Sequence, residues 1–129
     1  MYRVLLIDDQ SLFRDMARDV FDAAGGFEVA GEGADGSEAA GLYRTLAPDV
    51  VLMDVQMPLG MNGFEATRTL TSASPDACIV LTSMARDPEY PRLAREAGAA
   101  AFMSKRDLDV QAIRAMLDER GSRTARQAA

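Results

Sequence analysis

The sequence predicts an α/β domain with a doubly wound five-stranded parallel sheet of order 2-1-3-4-5. Four short apolar runs carry this reading: Val4-Leu5-Leu6-Ile7, Val50-Val51-Leu52-Met53, Ile79-Val80-Leu81 and Ala100-Ala101-Phe102-Met103. Runs of this length read as strands buried on both faces. Amphipathic helical stretches alternate with them, and strict βα alternation with right-handed crossovers winds helices onto both faces of one sheet. Each run also ends on residues with chemistry to offer: Asp8-Asp9, Asp54, Thr82 and Lys105. Ligands of such sheets bind outside the carboxyl ends of the strands, at the switch point between strands 1 and 3. Three carboxylates, a hydroxyl and an ammonium gathered there suit a hard cation and a phosphoryl group.

Strand 1 covers roughly residues 2–7. Helix 1 is expected from Ser11 to Ala24, with Leu12, Phe13, Met16, Ala17, Val20, Phe21 and Ala24 as one buried stripe. Ser11 is a candidate cap, and Gly25-Gly26 ends the helix. Strand 2, near Phe27–Gly31, is short and polar at its end, which suits a sheet edge. Helix 2 spans Ser37–Leu46 and stops before Pro48. Strand 3, Asp49–Met53, delivers Asp54. A loop with Pro58, Gly60 and Gly63 leads to helix 3, Phe64–Leu70, and Ser74-Pro75-Asp76 makes a turn. Strand 4 delivers Thr82. Helix 4, Glu89–Ala97, must take Pro91 in its first turn, and Gly98 ends it. Strand 5 delivers Lys105. Helix 5 starts after Asp107 with Leu108, Val110, Ile113, Met116 and Leu117. Residues 1–120 form the domain, and 121–129 are a polar tail expected to fray.

The chain has 129 residues, 48% of them hydrophobic and 26% charged, enough for one domain with a real core. No apolar run approaches the ~20 residues of a membrane helix. Met1-Tyr2-Arg3 passes straight into a strand, so no signal peptide is read and a cytoplasmic location follows. The single cysteine, Cys78, heads an apolar run and reads as a small core residue. A net charge of −6 argues against nucleic acid as a partner of this chain alone. With 0 histidines, Ser-His and Cys-His catalysis, histidine-ligated zinc and a histidine phosphoryl donor are all excluded. A metal would be held by oxygen, as magnesium, manganese or calcium are.

The stretches VLLIDDQ, VVLMDVQMP followed by MNG, IVLTSMA and AREAGAAAFMSK resemble the response-regulator receiver domain of two-component signalling, a flavodoxin-like (βα)5 fold, over nearly the whole chain. DDQSLFR and AREAGAAAFMSKRD look most like receivers that precede a DNA-binding helix-turn-helix. Three positions depart from the family pattern. The loop Met57-Pro58-Leu59-Gly60-Met61-Asn62-Gly63 is one residue longer. Arg106, in place of the frequent proline, follows Lys105, so a trans bond is expected, a cis non-proline bond costing ~3 kcal/mol. Ser83 stands where alanine is common.

The resemblance implies a role for each site residue. Asp54 is the nucleophile that becomes an acyl phosphate. Asp8, Asp9 and Asp54, with the Gln56 backbone carbonyl, hold Mg2+ (or Mn2+), Asp8 acting through water. Two carboxylates ~4 Å apart repel by ~4 kcal/mol at an effective dielectric of 20, so three would not gather without a cation or ammonium. Lys105, the only lysine in the chain, pairs with Asp54 and then with the phosphoryl oxygens. Thr82 and Ser83 lie against the phosphoryl group. Thr82 and Phe102 form the switch and are expected to be neighbours on one face.

The implied function is a phosphorylation-dependent switch. A sensor histidine kinase or histidine phosphotransfer protein donates the phosphoryl group, and the helix 4–strand 5–helix 5 face signals to an output domain or protein. The chain would be no classical enzyme, catalysing only its own phosphorylation and dephosphorylation, and a homodimer formed on phosphorylation fits the same scheme. Two other classes share the fold. A flavin-binding electron carrier needs a Ser/Thr/Gly-rich phosphate loop after strand 1, where Asp8-Asp9-Gln10 stands. An aspartyl phosphohydrolase wants a second acid two residues after its nucleophile, where Gln56 stands.

Overall fold

The computed structural model describes residues 1–58 and 60–128, with side chains as far as Gly121. Strands β1 (Tyr2–Ile7), β2 (Phe27–Gly33), β3 (Val50–Asp54), β4 (Ile79–Ser83) and β5 (Ala101–Ser104) alternate with helices α1 (Ser11–Ala24), α2 (Ala39–Leu46), α3 (Gly63–Ala73), α4 (Tyr90–Ala97) and α5 (Val110–Ala128). Short 3-10 turns, Gly36–Glu38 and Lys105–Asp107, precede α2 and α5. All strand pairs are parallel and the order is β2-β1-β3-β4-β5, as the sequence predicts.

Alternation along the strands sends side chains to two separate cores. Leu5, Ile7, Val51, Met53, Ile79 and Leu81 face Ala39, Ala66, Leu70 and Ala94 from α2, α3 and α4. Val4, Leu6, Val50, Leu52 and Val80 face Ala17, Phe21, Ile113 and Leu117 from α1 and α5. The register sets Ile7 beside Met53 and Asp54 beside Thr82. Three strands therefore end level, and the loops after them converge.

Several local expectations need correction. Leu12 is 82% exposed and Met16 39%, so the α1 stripe is narrower than its seven apolar residues. A helix lying on one sheet buries about a 100° arc, and those seven cover more. Only Ala17 and Phe21 are fully buried within α1. Ser11 is the first helical residue, not the cap; Gln10 precedes it and makes no side-chain cap. β2 runs two residues beyond Gly31, to Gly33, and does form an edge, with its register slipping between Val4 and Leu5 of β1. The α2 region starts as a 3-10 turn, with Asp35 accepting from the Ser37 amide. α3 continues past Leu70 to Ala73.

Other expectations hold. Pro91 lies in the first turn of α4, and Gly98 ends it at φ 103°, a backbone conformation that favours glycine. Cys78 is buried, its sulfur 3.7 Å from that of Met116. The peptide after Lys105 is trans, as is every other among the described residues. The frayed tail expected from Gly121 is a further correction: the α5 backbone continues to Ala128, because the stretch from Gly121 carries no proline to stop the helix. The side chains of 122–128, with Leu59 and Ala129, lie outside the described residues. Among the described residues no helix is long and apolar enough to cross a membrane.

Candidate functional site

The β1–α1 turn presents an acidic pair in two environments. Asp8 is 2% exposed while Asp9 is open to solvent. The Asp8 Oδ1 accepts from the Gln10 amide at 2.8 Å, which fixes the turn. Arg14, one turn into α1, donates to the Asp8 carbonyl oxygen and reaches Glu32 of β2 at 2.9 Å. Arg18 also pairs with Glu32. The hydrogen bond from Arg18, then that from Arg14, holds the Glu32 carboxyl below its usual range despite partial burial. This Arg–Glu–Arg group anchors the turn to the sheet edge.

Asp54 closes β3 and is 4% exposed. Its Oδ1 accepts from the Gln56 amide at 3.2 Å. The Val55 amide donates to the Thr82 carbonyl at 2.8 Å, and the Gly63 amide to the Val55 carbonyl at 2.9 Å. A side chain on residue 63 would collide with the Asp54 carbonyl oxygen, so only glycine lets α3 start this close to β3. The lengthened loop folds back on Asp35, whose Oδ1 accepts from the Met61 amide at 3.1 Å as well as from Ser37. Asn62 then caps α3 by accepting from the Glu65 amide at 2.9 Å.

Oxygen atoms of Asp8, Asp9 and Asp54, one from each, lie within 4.8 Å of one another. Lys105 answers this charge from the 3-10 turn after β5. Its ammonium lies 2.7 Å from Asp8 Oδ2 and 3.3 Å from Asp54 Oδ2, and donates to Gln10 Oε1 at 3.2 Å. The Asp8 contact is an ion pair, not an aligned hydrogen bond, so Asp8 Oδ2 has no hydrogen-bond donor. The ammonium also sits 4.5 Å from the centre of the Phe13 ring. Burial, then the Asp8 charge, pushes the Asp54 pKa up to about 6 against the opposing pull of Lys105. Three crowded acids, one of them open to solvent, make a donor set that fits a hard divalent cation.

Thr82 and Ser83 are buried beside this cluster. Thr82 donates to the Met53 carbonyl at 3.4 Å, and Ser83 Oγ accepts from the Ala85 amide at 3.0 Å. The expectation that Thr82 and Phe102 share a face is not met. Phe102 pairs with Leu81 and Thr82 with Met103, so this one-residue offset points their side chains to opposite faces. Phe102 packs instead edge-on against Tyr90, ring centres 5.9 Å apart, and Tyr90 packs against Phe64 at 5.5 Å. The Gln56 side-chain amide donates to the Tyr90 hydroxyl at 3.3 Å. Asp9, Asp54, Gln56, Phe64, Tyr90 and Lys105 thus share one cleft of about 720 Å³.

Sequence reasoning missed Tyr90, Asp35 and the Arg14–Glu32 buttress. Tyr90 had a usable signal, an aromatic in the helix packed beside the strand that carries Phe102. Asp35 and Glu32 look like ordinary surface acids until the fold brings Met61 and Arg14 to them.

Residues 4–118 match the family model described as the response regulator receiver domain. The chain is 40% identical over 105 residues to the response regulator GacA of Pseudomonas viridiflava, covering 81% of this chain and 49% of that one. It is 40% identical over 103 residues to the chemotaxis protein CheY of Thermotoga maritima, covering 80% and 84%. The signal receiver domain of a NarL response regulator from Mycobacterium tuberculosis superposes with a TM-score of 0.81 at 32% identity, covering 93% of this chain and 96% of that one. The chain spans about half the length of GacA. Strand order, the residues at the strand ends and these likenesses agree: the chain belongs to the response regulator receiver domain family of two-component signalling.

Proposed function

We propose that this chain is a phosphorylation-dependent switch in which Asp54 accepts a phosphoryl group from a histidine kinase or phosphotransfer protein. The observation that carries this reading is the buried Lys105 ammonium between Asp8 and Asp54, with Asp9 open to solvent at the mouth. An Asp54 oxygen attacks phosphorus of the donor phosphohistidine. The P–O bond forms, the P–N bond breaks, and the electron pair leaves with the imidazole, which takes a proton from solvent. Lys105, the Thr82 hydroxyl and Ser83 are the proposed ligands of the phosphoryl oxygens. Later attack of water on phosphorus releases inorganic phosphate and restores the carboxylate. The activity is confined to the chain's own Asp54.

Asp8, Asp9, Asp54 and the Gln56 carbonyl would hold Mg2+ or Mn2+, which supplies positive charge for the transferring group. Residues 1–120 are the proposed unit, acting in the cytoplasm. Thr82 and Phe102 are the proposed switch residues, and the α4–β5–α5 face the output surface, toward a further domain, a separate protein or a second copy. DNA is not a proposed partner of this acidic chain alone.

Incubation with acetyl phosphate and Mg2+ should add one phosphoryl group to the intact mass, and chelator or Asp54→Asn should abolish it. Because a receiver that ignores small donors would also stay unlabelled, a phosphorylated histidine kinase is the second donor. Equal labelling of Asp54→Asn would defeat the assignment. A visible absorption band from bound flavin, or turnover of a phosphomonoester, would point to the alternative classes.

A further inference from the structure

We propose that Tyr90 is the positioning residue that carries a change at Asp54 to Phe102. The inference rests on the phosphoryl-acceptor reading of Asp54 and adds the physical route by which that site is read. The route is a continuous set of contacts. Asp54 Oδ1 accepts from the Gln56 backbone amide at 3.2 Å. The side-chain amide of the same residue donates to the Tyr90 hydroxyl at 3.3 Å. The Tyr90 ring meets Phe102 edge-on at 5.9 Å and Phe64 at 5.5 Å.

Phe102 pairs with Leu81 and turns to its face of the sheet, opposite to that of Thr82. Phe102 itself has no polar atom with which to sense a charge. Tyr90 supplies that atom, combining an apolar ring in the aromatic row with a hydroxyl at the mouth of the acidic cleft. It is also the first residue of α4, its amide bonded to the Asp87 carbonyl at 3.1 Å. A shift of Tyr90 therefore moves the start of that helix.

Phosphorylation changes the first link. When an Asp54 oxygen becomes the bridging oxygen of the acyl phosphate, charge leaves the carboxylate for the phosphoryl oxygens, and the Gln56 amide loses its charged acceptor. Gln56 then reorients, the Tyr90 hydroxyl loses or renews its partner, and the ring changes its angle against Phe102. The two arrangements of Gln56–Tyr90 are the states that the phosphoryl group biases.

The test uses the chain with ring-labelled phenylalanine, Mg2+ and acetyl phosphate, with a phosphorylated histidine kinase as second donor, and reads the Phe102 resonance by NMR while mass spectrometry reads Asp54. In the wild type, phosphorylation should shift the Phe102 signal. Tyr90→Phe keeps every ring contact and removes only the hydroxyl. It should still gain the phosphoryl group, with the Phe102 shift cut to less than half. Gln56→Met should cut it equally, and the double variant no further, because both break one link. A full wild-type shift in Tyr90→Phe, or a double variant that loses the sum of the two singles, overturns the route. If Tyr90→Phe proves unstable, a full shift in Gln56→Met overturns it alone. A wild-type chain that takes no phosphoryl group from either donor defeats the acceptor reading; one that takes it with a silent Phe102 defeats only the route.

Discussion

Lys105 stands closer to Asp8 than to Asp54, 2.7 Å against 3.3 Å, so its ammonium pairs first with an acid that is not the proposed acceptor. Lys105→Met would leave Asp8 and Asp54 buried and uncompensated. Breaking a buried pair in this way costs ~3–5 kcal/mol. Urea unfolding at pH 7 should show a loss of that order, and a smaller one at pH 5. Lys105→Arg should not restore stability, because a planar guanidinium does not fit a slot shaped for a compact ammonium.

Asp54 should govern how stability responds to pH. Its folded pKa of about 6 lies above the ordinary 3.8, so its ionisation works against the fold. The neutral form favours the fold fully at low pH, and this contribution is lost as pH rises from about 4 through 6. Asp54→Asn removes the ionisation. The variant should unfold about 1–2 kcal/mol harder than wild type at pH 7.5, discounted for partial solvation, and similarly to it at pH 4. A constant difference between the two across that range would contradict the assignment.

Divalent cations should reverse the same penalty. Magnesium should raise the melting temperature at pH 7.5, by ~2.7 kcal/mol of stability at a hundredfold excess over Kd. Its affinity should fall about tenfold per pH unit below 6, where a proton competes for Asp54. Asp9→Asn should weaken magnesium at least tenfold while changing the melting temperature without magnesium little, because Asp9 is solvent-exposed. Differential scanning fluorimetry against magnesium concentration reads both effects.

Gly63→Ala should disturb the acceptor through the backbone. The new methyl would strike the Asp54 carbonyl oxygen and the Val55 backbone. A cost of about 1–3 kcal/mol is expected from this overpacking. The rate of labelling by acetyl phosphate should fall along with the unfolding midpoint. Gly41→Ala, with open space around residue 41 inside α2, is the control: it should raise the unfolding midpoint slightly through helix propensity and leave the labelling rate unchanged.

The strand-end residues were legible because a parallel sheet places every carboxyl end on one edge. Knowing that Val4–Ile7 and Val50–Met53 are strands suffices to bring Asp8 to Asp54. The trans bond at Lys105 and the edge position of β2 followed from equally local rules. What failed depended on partners distant in sequence. The apolar arc of α1 says which residues could be buried, but only the packing of α1 says that Leu12 is not. Thr82 and Phe102 each sit at the expected strand position, yet the side to which each points depends on a register of one residue. Asp35 and Tyr90 carry no motif of their own and acquire their place from the loop after Asp54 and the ring of Phe102.

Among the described residues the sheet divides the buried side chains into two clusters, one on each face. Substitutions on opposite sides should then be tolerated independently, while those on one side must be matched. Lineages could remodel the α2–α4 side, where Phe102, Tyr90 and Phe64 meet, and leave Phe21, Ile113 and Leu117 untouched. A protein engineer could likewise retune the signalling half of this molecule and keep the other half as a fixed chassis.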